Sequence, residues 1–155
     1  MRRIVTGYDA EDRSGIIFDG EPPTVMDFGS IITTELWVTD STPPDLRSTE
    51  DASLREWEID PPSRGTSFRI VKILPLREEE KAAPAADEPE FLGEHATDTL
   101  DYVVVLSGEM TMTIGGREET LRAGDSVVQR ATPHDWVNRG TEPCVLAGVL
   151  ISTRP

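Results

Sequence analysis

The chain has 155 residues, 37% of them hydrophobic and 28% charged. That is enough for one domain with an apolar core and too short for two ordinary ones. Its 29 acidic residues against 15 basic ones leave a net charge of −14, which repels phosphate backbones and anionic lipid surfaces, so neither nucleic acid nor membrane is expected as a partner.

Met1-Arg2-Arg3-Ile4-Val5 runs into Thr6-Gly7-Tyr8-Asp9, where an export signal would need an apolar stretch of about 7–15 residues. The single Cys144 sits in the apolar run that reaches Ile151 and reads as a buried thiol, so a reducing cytoplasm is expected. Arg3 to Phe18 reads as short strands broken by Gly7, Asp9 and Gly15, an arm or edge hairpin closed by Glu21-Pro22-Pro23. Ile31 to Val38 is rich in β-branched and aromatic residues and predicts a strand. Ser48 or Thr49 is placed to cap a short helix through about Trp57, with Leu54 and Trp57 three apart, and no other helix is expected. Ser67 to Leu74 alternates and ends at Pro75, another strand.

From Arg77 to Glu90 the sequence is acidic and Ala/Pro-rich with nothing to bury, which predicts a mobile loop: a solvated connector or a flap over the site. Asp101 to Ile114 is β-rich with a turn at Ser107-Gly108, and Gly115-Gly116 makes a tight hairpin into Glu118 to Leu121. Ala123-Gly124-Asp125 turns into Ser126 to Gln129, and two more strands follow from Pro133 to Ile151. Short strands at this regular spacing predict an all-β sandwich or barrel in a single domain over 1–155, with an N-terminal arm over about 1–40 and a core barrel over about 65–152.

Histidine is scarce, and both residues fall in motifs. His95 lies in Gly93-Glu94-His95-Ala96-Thr97-Asp98-Thr99-Leu100-Asp101, and His134 in Pro133-His134-Asp135-Trp136-Val137-Asn138. Two imidazoles and the Asp101 carboxylate are a ligand set for one divalent transition metal, Fe, Zn, Mn or Ni, with open positions for substrate; a metal-free site that uses a histidine as acid or base is the alternative. Strand parity puts Thr97 on the face of His95, and Trp136 on that of His134, where it walls a cavity or packs the core. Tyr102 should face the opposite side from Asp101. Val103, Val105, Met110, Met112 and Ile114 read as barrel filling, with Val103 and Val105 as pocket residues. Gln129 and Arg130 precede His134 closely, and Arg130 is a candidate for a substrate carboxylate or enolate, or for an ordinary surface ion pair.

These motifs resemble those of the cupins, the small jelly-roll barrel used by many metalloenzymes. The first cupin motif has a Gly, two His one residue apart, a Glu, and a Gly seven positions on; His95, Thr97, Asp101 and Gly108 stand at those positions. The second has Pro-x-Gly, a His, three residues and an Asn; Arg122-Ala123-Gly124 stands in place of the first part, while His134 and Asn138 keep the last spacing. The resemblance covers about Glu90 to Ile151 and implies a double-stranded β-helix, with Asn138 fixing the turn behind His134. Thr97 for histidine and Asp101 for glutamate leave three of the four usual ligand positions filled.

Three functions follow. The first is a small-molecule enzyme, a dehydratase, lyase, isomerase or cyclase, in which a metal or Thr97 polarises an oxygen and a histidine or Asp101 moves the proton. The second is a non-haem iron dioxygenase, and the third a non-catalytic module that binds a small ligand. A homodimer is expected, built through the N-terminal arm with Trp37 and Trp57 available for the contact.

Overall fold

The computed structural model describes residues 1–76 and 93–155, and within them every regular element is a strand. The expected acidic loop over 77–90 lies outside the described residues. β1 (Arg3–Tyr8) and β2 (Ser14–Gly20) form a two-stranded hairpin. β3 (Thr24–Asp27), β4 (Ile31–Thr39), β5 (Thr66–Ile73), β11 (Cys144–Ser152), β6 (Thr99–Ser107) and β9 (Ser126–Arg130) lie side by side, in that order, in a six-stranded sheet. β10 (Asp135–Val137), β7 (Glu109–Ile114) and β8 (Arg117–Arg122) make a three-stranded sheet. Every named pairing is antiparallel. Only the β1–β2 hairpin of the expected arm stands apart, because β3 and β4 pair into the main sheet.

The core lies between the two larger sheets. Ile73, Val103, Val105, Met110, Cys144 and Leu146 are buried together, with Val71, Leu121, Val127 and Trp136 packed against them. Strand parity sorts β6 cleanly: Thr99, Asp101, Val103 and Val105 are buried, while Tyr102, Val104 and Leu106 are exposed. The β6–β7 corner needs glycine. Gly108 has φ +74°, and a Cβ there would sit 2.5 Å from the Pro143 carbonyl oxygen.

The expected helix over Ser48–Trp57 is absent; that stretch runs as bends and turns. Its polar side chains bond elsewhere: Asp51 accepts from the Ser53 backbone N–H and hydroxyl, and both residues bind Arg3. Its apolar residues make no common face, since Leu54 is 70% exposed and Trp57 stacks at 5.1 Å on Phe28. Trp37 likewise packs within the chain, 6.4 Å from Phe18. The two tryptophans expected at a subunit contact are therefore engaged internally.

Arg3 pins the base of the hairpin arm, while Arg47 pairs with Asp12 and lies over the Tyr8 ring at its tip. A register shift in β4 between Glu35 and Trp37 takes Leu36 out of the ladder with β5, and Arg3 Nη1 donates to the Leu36 carbonyl at 3.0 Å. The same guanidinium grips Asp51 through both carboxylate oxygens, at 2.8 and 2.5 Å. This bidentate contact depresses the Asp51 carboxyl to about 2, with the Ser53 hydrogen bonds adding to the effect. The resulting stability is complete above the ordinary aspartate range and is lost as pH falls from about 4 to about 2. We expect Asp51→Asn to cost about 1–2 kcal/mol at neutral pH, discounted for partial exposure. Urea denaturation of the two proteins should converge near pH 2, and parallel curves down to that pH would contradict the assignment.

Candidate functional site

The two histidines meet across a two-residue bridge. His95 N–H donates to the His134 carbonyl at 3.0 Å, and His134 N–H returns the bond to His95 at 2.9 Å. Their rings lie 4.6 Å apart, and the His134 ring lies 5.5 Å from that of Trp136. Each Nδ1 is 2.9 Å from a backbone carbonyl two residues earlier, Gly93 for His95 and Thr132 for His134. A carbonyl only accepts, so each neutral ring carries its proton on Nδ1 and keeps its lone pair on Nε2. His134 is 5% exposed, and burial pushes its pKa below the ordinary histidine value, the Thr132 carbonyl opposing and the His95 ring reinforcing the shift. It is therefore the neutral imidazole at pH 7.

Both rings line a cavity of about 130 Å³ with mainly apolar walls, among them Phe28, Ile31, Trp57, Val71, Val103 and Leu146. Thr97, Asp101 and Trp136 line it too. The polar wall comes from the inward face of β6 and the residues before it. Thr97 and Thr99 hydroxyls lie 2.6 Å apart, and Thr99 also bonds to the Asp101 carboxylate. A hydroxyl has one hydrogen, so Thr99 donates to Asp101 and Thr97 donates to Thr99, which leaves Thr97 oxygen as an acceptor towards the cavity. Burial raises the Asp101 pKa, opposed by Thr99 and by the Arg69 charge. Its Oδ1 is buried without a hydrogen-bond partner.

Among the described residues, no three His, Cys, Asp or Glu side chains gather as a metal-binding group. The expected His95, Asp101 and His134 set is divided: the imidazoles form a close pair, and Asp101 occupies the same cavity without joining them. The strand connection explains the separation, because Asp101 is carried within β6 whereas His95 precedes that strand and bridges to His134. The chemistry of the pair still suits a transition ion, since imidazoles anchored through Nδ1–H present Nε2 as a nitrogen donor of the kind Fe, Zn and Ni accept.

Other expected pocket residues fall elsewhere. Arg130 is exposed at the end of β9, on the face opposite Gln129, so it points away from the cavity. Val105 is 1% exposed in the core and does not line the cavity, because it lies beyond Val103 towards the β6–β7 corner. Gln129 is 2% exposed and also outside the lining; its amide donates to Thr132, at 2.9 Å to the carbonyl and also to the hydroxyl. It thereby holds the segment whose carbonyl orients His134. Asn138 acts similarly from behind: it donates to the Ile73 and Glu142 carbonyls at 3.0 and 2.8 Å and accepts from Gly140 N–H at 2.8 Å.

Arg69 and Thr33 were not singled out from the sequence, yet both line the cavity. Arg69 is 5% exposed and bound on all sides: Nε to Ser67 at 2.8 Å, Nη1 to the Ile59 carbonyl at 3.0 Å, Nη2 to the Glu58 carbonyl at 3.3 Å and to Glu35 at 3.2 Å. Burial pushes the Glu35 carboxyl up despite that cation and the Ser67 hydroxyl. Parity was the available signal, because Arg69 lies in phase with Val71 and Ile73 on β5.

An antiparallel double-sheet barrel with a histidine pair at its cavity has the architecture of a double-stranded β-helix domain. Residues 80–152, just under half of the chain, match the family model described as Cupin domain. The chain is similar to a cupin-domain-containing oxidoreductase of Aspergillus ruber, 28% identical over 155 residues that cover 96% of this chain and 71% of that protein. Another so named, from Neurospora crassa, is 28% identical over 98% of this chain and 75% of its own length. The cupin domain of Schizosaccharomyces pombe Cnp3 shares the fold, with TM-score 0.53 and 10% identity over 97% of this chain and 87% of that one.

Asn138 generates a stability prediction. Asn138→Ala strands one buried carbonyl, one part-buried carbonyl and one part-buried amide, and should cost about 2–4 kcal/mol by chemical denaturation. A loss under about 0.5 kcal/mol would mean that the turn behind His134 holds without it.

Proposed function

We propose that the barrel is the active site of a small-molecule enzyme that moves a proton on an oxygenated substrate, in the manner of a dehydratase, lyase, isomerase or cyclase. The observation that supports this best is the anchoring of both Nδ1–H groups on backbone carbonyls, which leaves two Nε2 lone pairs on adjacent rings at the cavity. His95 and His134 would hold one divalent transition metal, which supplies Lewis-acid polarisation of a substrate oxygen when bound. Asp101 stands apart from the pair, so its unpartnered Oδ1 is the group that takes the proton. Thr97 accepts a hydrogen bond from a substrate hydroxyl and orients it, and the apolar walls keep water from the reacting centre.

An oxidoreductase is the second reading, favoured by the names of the two fungal relatives. Two imidazoles and a carboxylate are the ligand types of non-haem iron oxygenases. Elemental analysis of tag-free protein separates the possibilities. We expect about one equivalent of transition metal, lost in both His95→Ala and His134→Ala and retained in Asp101→Asn. Chelation should lower the melting temperature, since removing about 100-fold excess over Kd costs about 2.7 kcal/mol. Iron accompanied by oxygen uptake would select the oxidoreductase; metal-free protein after reconstitution would leave a barrel that binds its ligand through hydrogen bonds alone.

We also propose a homodimer, through the outer face of the six-stranded sheet in place of the arm. Val149 pairs with both Phe68 and Tyr102, and Tyr102 pairs with Val128, so the four make one row across β5, β11, β6 and β9. Ile70, Ala147 and Val104 make the next row. Phe68, Tyr102, Val104, Leu106 and Val128 are 41–59% exposed, an uncharged apolar strip on a chain of net charge −14. Light scattering at micromolar concentration should give twice the monomer mass, and Tyr102→Asp with Val128→Asp should halve it. A monomeric wild type would rule the contact out.

A further inference from the structure

The cavity carries more unmet hydrogen-bonding capacity than its apolar walls suggest. Three buried polar atoms on lining residues lack a partner: Asp101 Oδ1, Thr33 Oγ1 and Trp136 Nε1. They come from three strands, β6, β4 and β10. A buried polar group without a partner costs about 1–3 kcal/mol, so three on one cavity call for a bound partner there, water or a ligand that displaces it. The type of each group defines its complement. Asp101 Oδ1 and the Thr97 oxygen accept, so they require donors; the Trp136 indole N–H requires an acceptor; the Thr33 hydroxyl meets either.

Charge narrows the ligand further. Arg69 is the cation in the wall, and its guanidinium is already engaged by Ser67, Ile59, Glu58 and Glu35. No two-pronged fork remains for a carboxylate or phosphate. In the metal-free protein an anionic ligand would meet Asp101 instead, in an apolar setting where like charges repel strongly. Size narrows it again, since the cavity of about 130 Å³ is close to the roughly 150 Å³ void known to hold one benzene ring.

We infer that the ligand is a neutral, hydroxylated molecule of about one six-membered ring, and that Thr33 and Trp136 determine specificity by hydrogen-bonding its oxygens. This rests on the barrel being the active site, and it names the substrate class for that site. A site built to bond a hydroxyl rejects an analogue without one, because the buried partners are then left unpaired.

Resorcinol is the probe, observed by the indole N–H cross-peaks of ¹⁵N-labelled protein, with the Trp136 peak assigned by its loss in Trp136→Phe. Three ligands serve as comparisons: toluene for a ring without oxygen, 3-hydroxybenzoate for an anion, and 2,7-dihydroxynaphthalene for a second ring. Resorcinol should shift the Trp136 peak saturably and bind at least about tenfold more tightly than each of the three. Thr33→Val, which keeps the shape and removes the hydroxyl, should weaken resorcinol about fivefold and leave toluene unchanged. Equal binding of the anion or of the two-ring diol would overturn the inference, as would a Thr33→Val protein that binds resorcinol like the wild type. Metal content measured on the same sample separates this from the enzyme proposal. Selective resorcinol binding to protein that takes up no metal upholds the ligand class and overturns the metal reading. Metal-loaded protein that binds toluene as tightly as resorcinol does the reverse.

Discussion

Two backbone hydrogen bonds between His95 and His134 are the constraint on which the site depends. Neither histidine belongs to a named strand, so the reciprocal bridge joins the approach to β6 to the approach to β10 and brings the two rings within 4.6 Å. Everything around the bridge limits its freedom. Gln129 and Thr132 brace the segment before His134, Asn138 ties the following turn to Ile73, and backbone carbonyls hold each Nδ1. Such support determines ring orientation and tautomer before any ligand arrives, which is the condition for a preorganised site.

Across the cavity lies a second buried polar system, built differently. Arg69, Glu35 and Ser67 form a network in which protein acceptors engage all three guanidinium nitrogens. The field of Arg69 reaches Asp101 and opposes the effect of burial on that carboxylate. Removing either charged member would leave the other as an uncompensated buried charge, so the network contributes rigidity to this wall more securely than it contributes net stability. The site thus combines engaged groups, which hold the wall, with unpartnered ones on the cavity.

Much of this was legible in the residues. The all-β class, the strands over Ile31–Val38 and Ser67–Leu74, the glycine turns and the outward Tyr102 follow from period-two patterning and turn chemistry, which act locally. The expected helix failed where a tertiary partner intervened: Arg3, some fifty residues away, takes the Asp51 and Ser53 side chains within the stretch that Ser48 or Thr49 was expected to cap. Arg130 and Gln129 were read together as near His134 in sequence, but adjacent strand residues face opposite ways, and one is exposed while the other is buried.

The sequence by itself determined the cupin motifs, the parity of β6 and the scarcity of histidine, because spacing along a strand dictates which side chains share a face. Only the tertiary structure decided that the two histidines pair while Asp101 stands apart, that Arg69 is buried with all three guanidinium nitrogens engaged, and that Thr33 reaches the same cavity. Those facts depend on which strands become neighbours and in what register. On β5 the aromatic Phe68 faces out and the charged Arg69 faces in, against the residues' own hydrophobicity, because Glu35 on the paired strand and the carbonyls of 58–59 supply what a buried guanidinium requires.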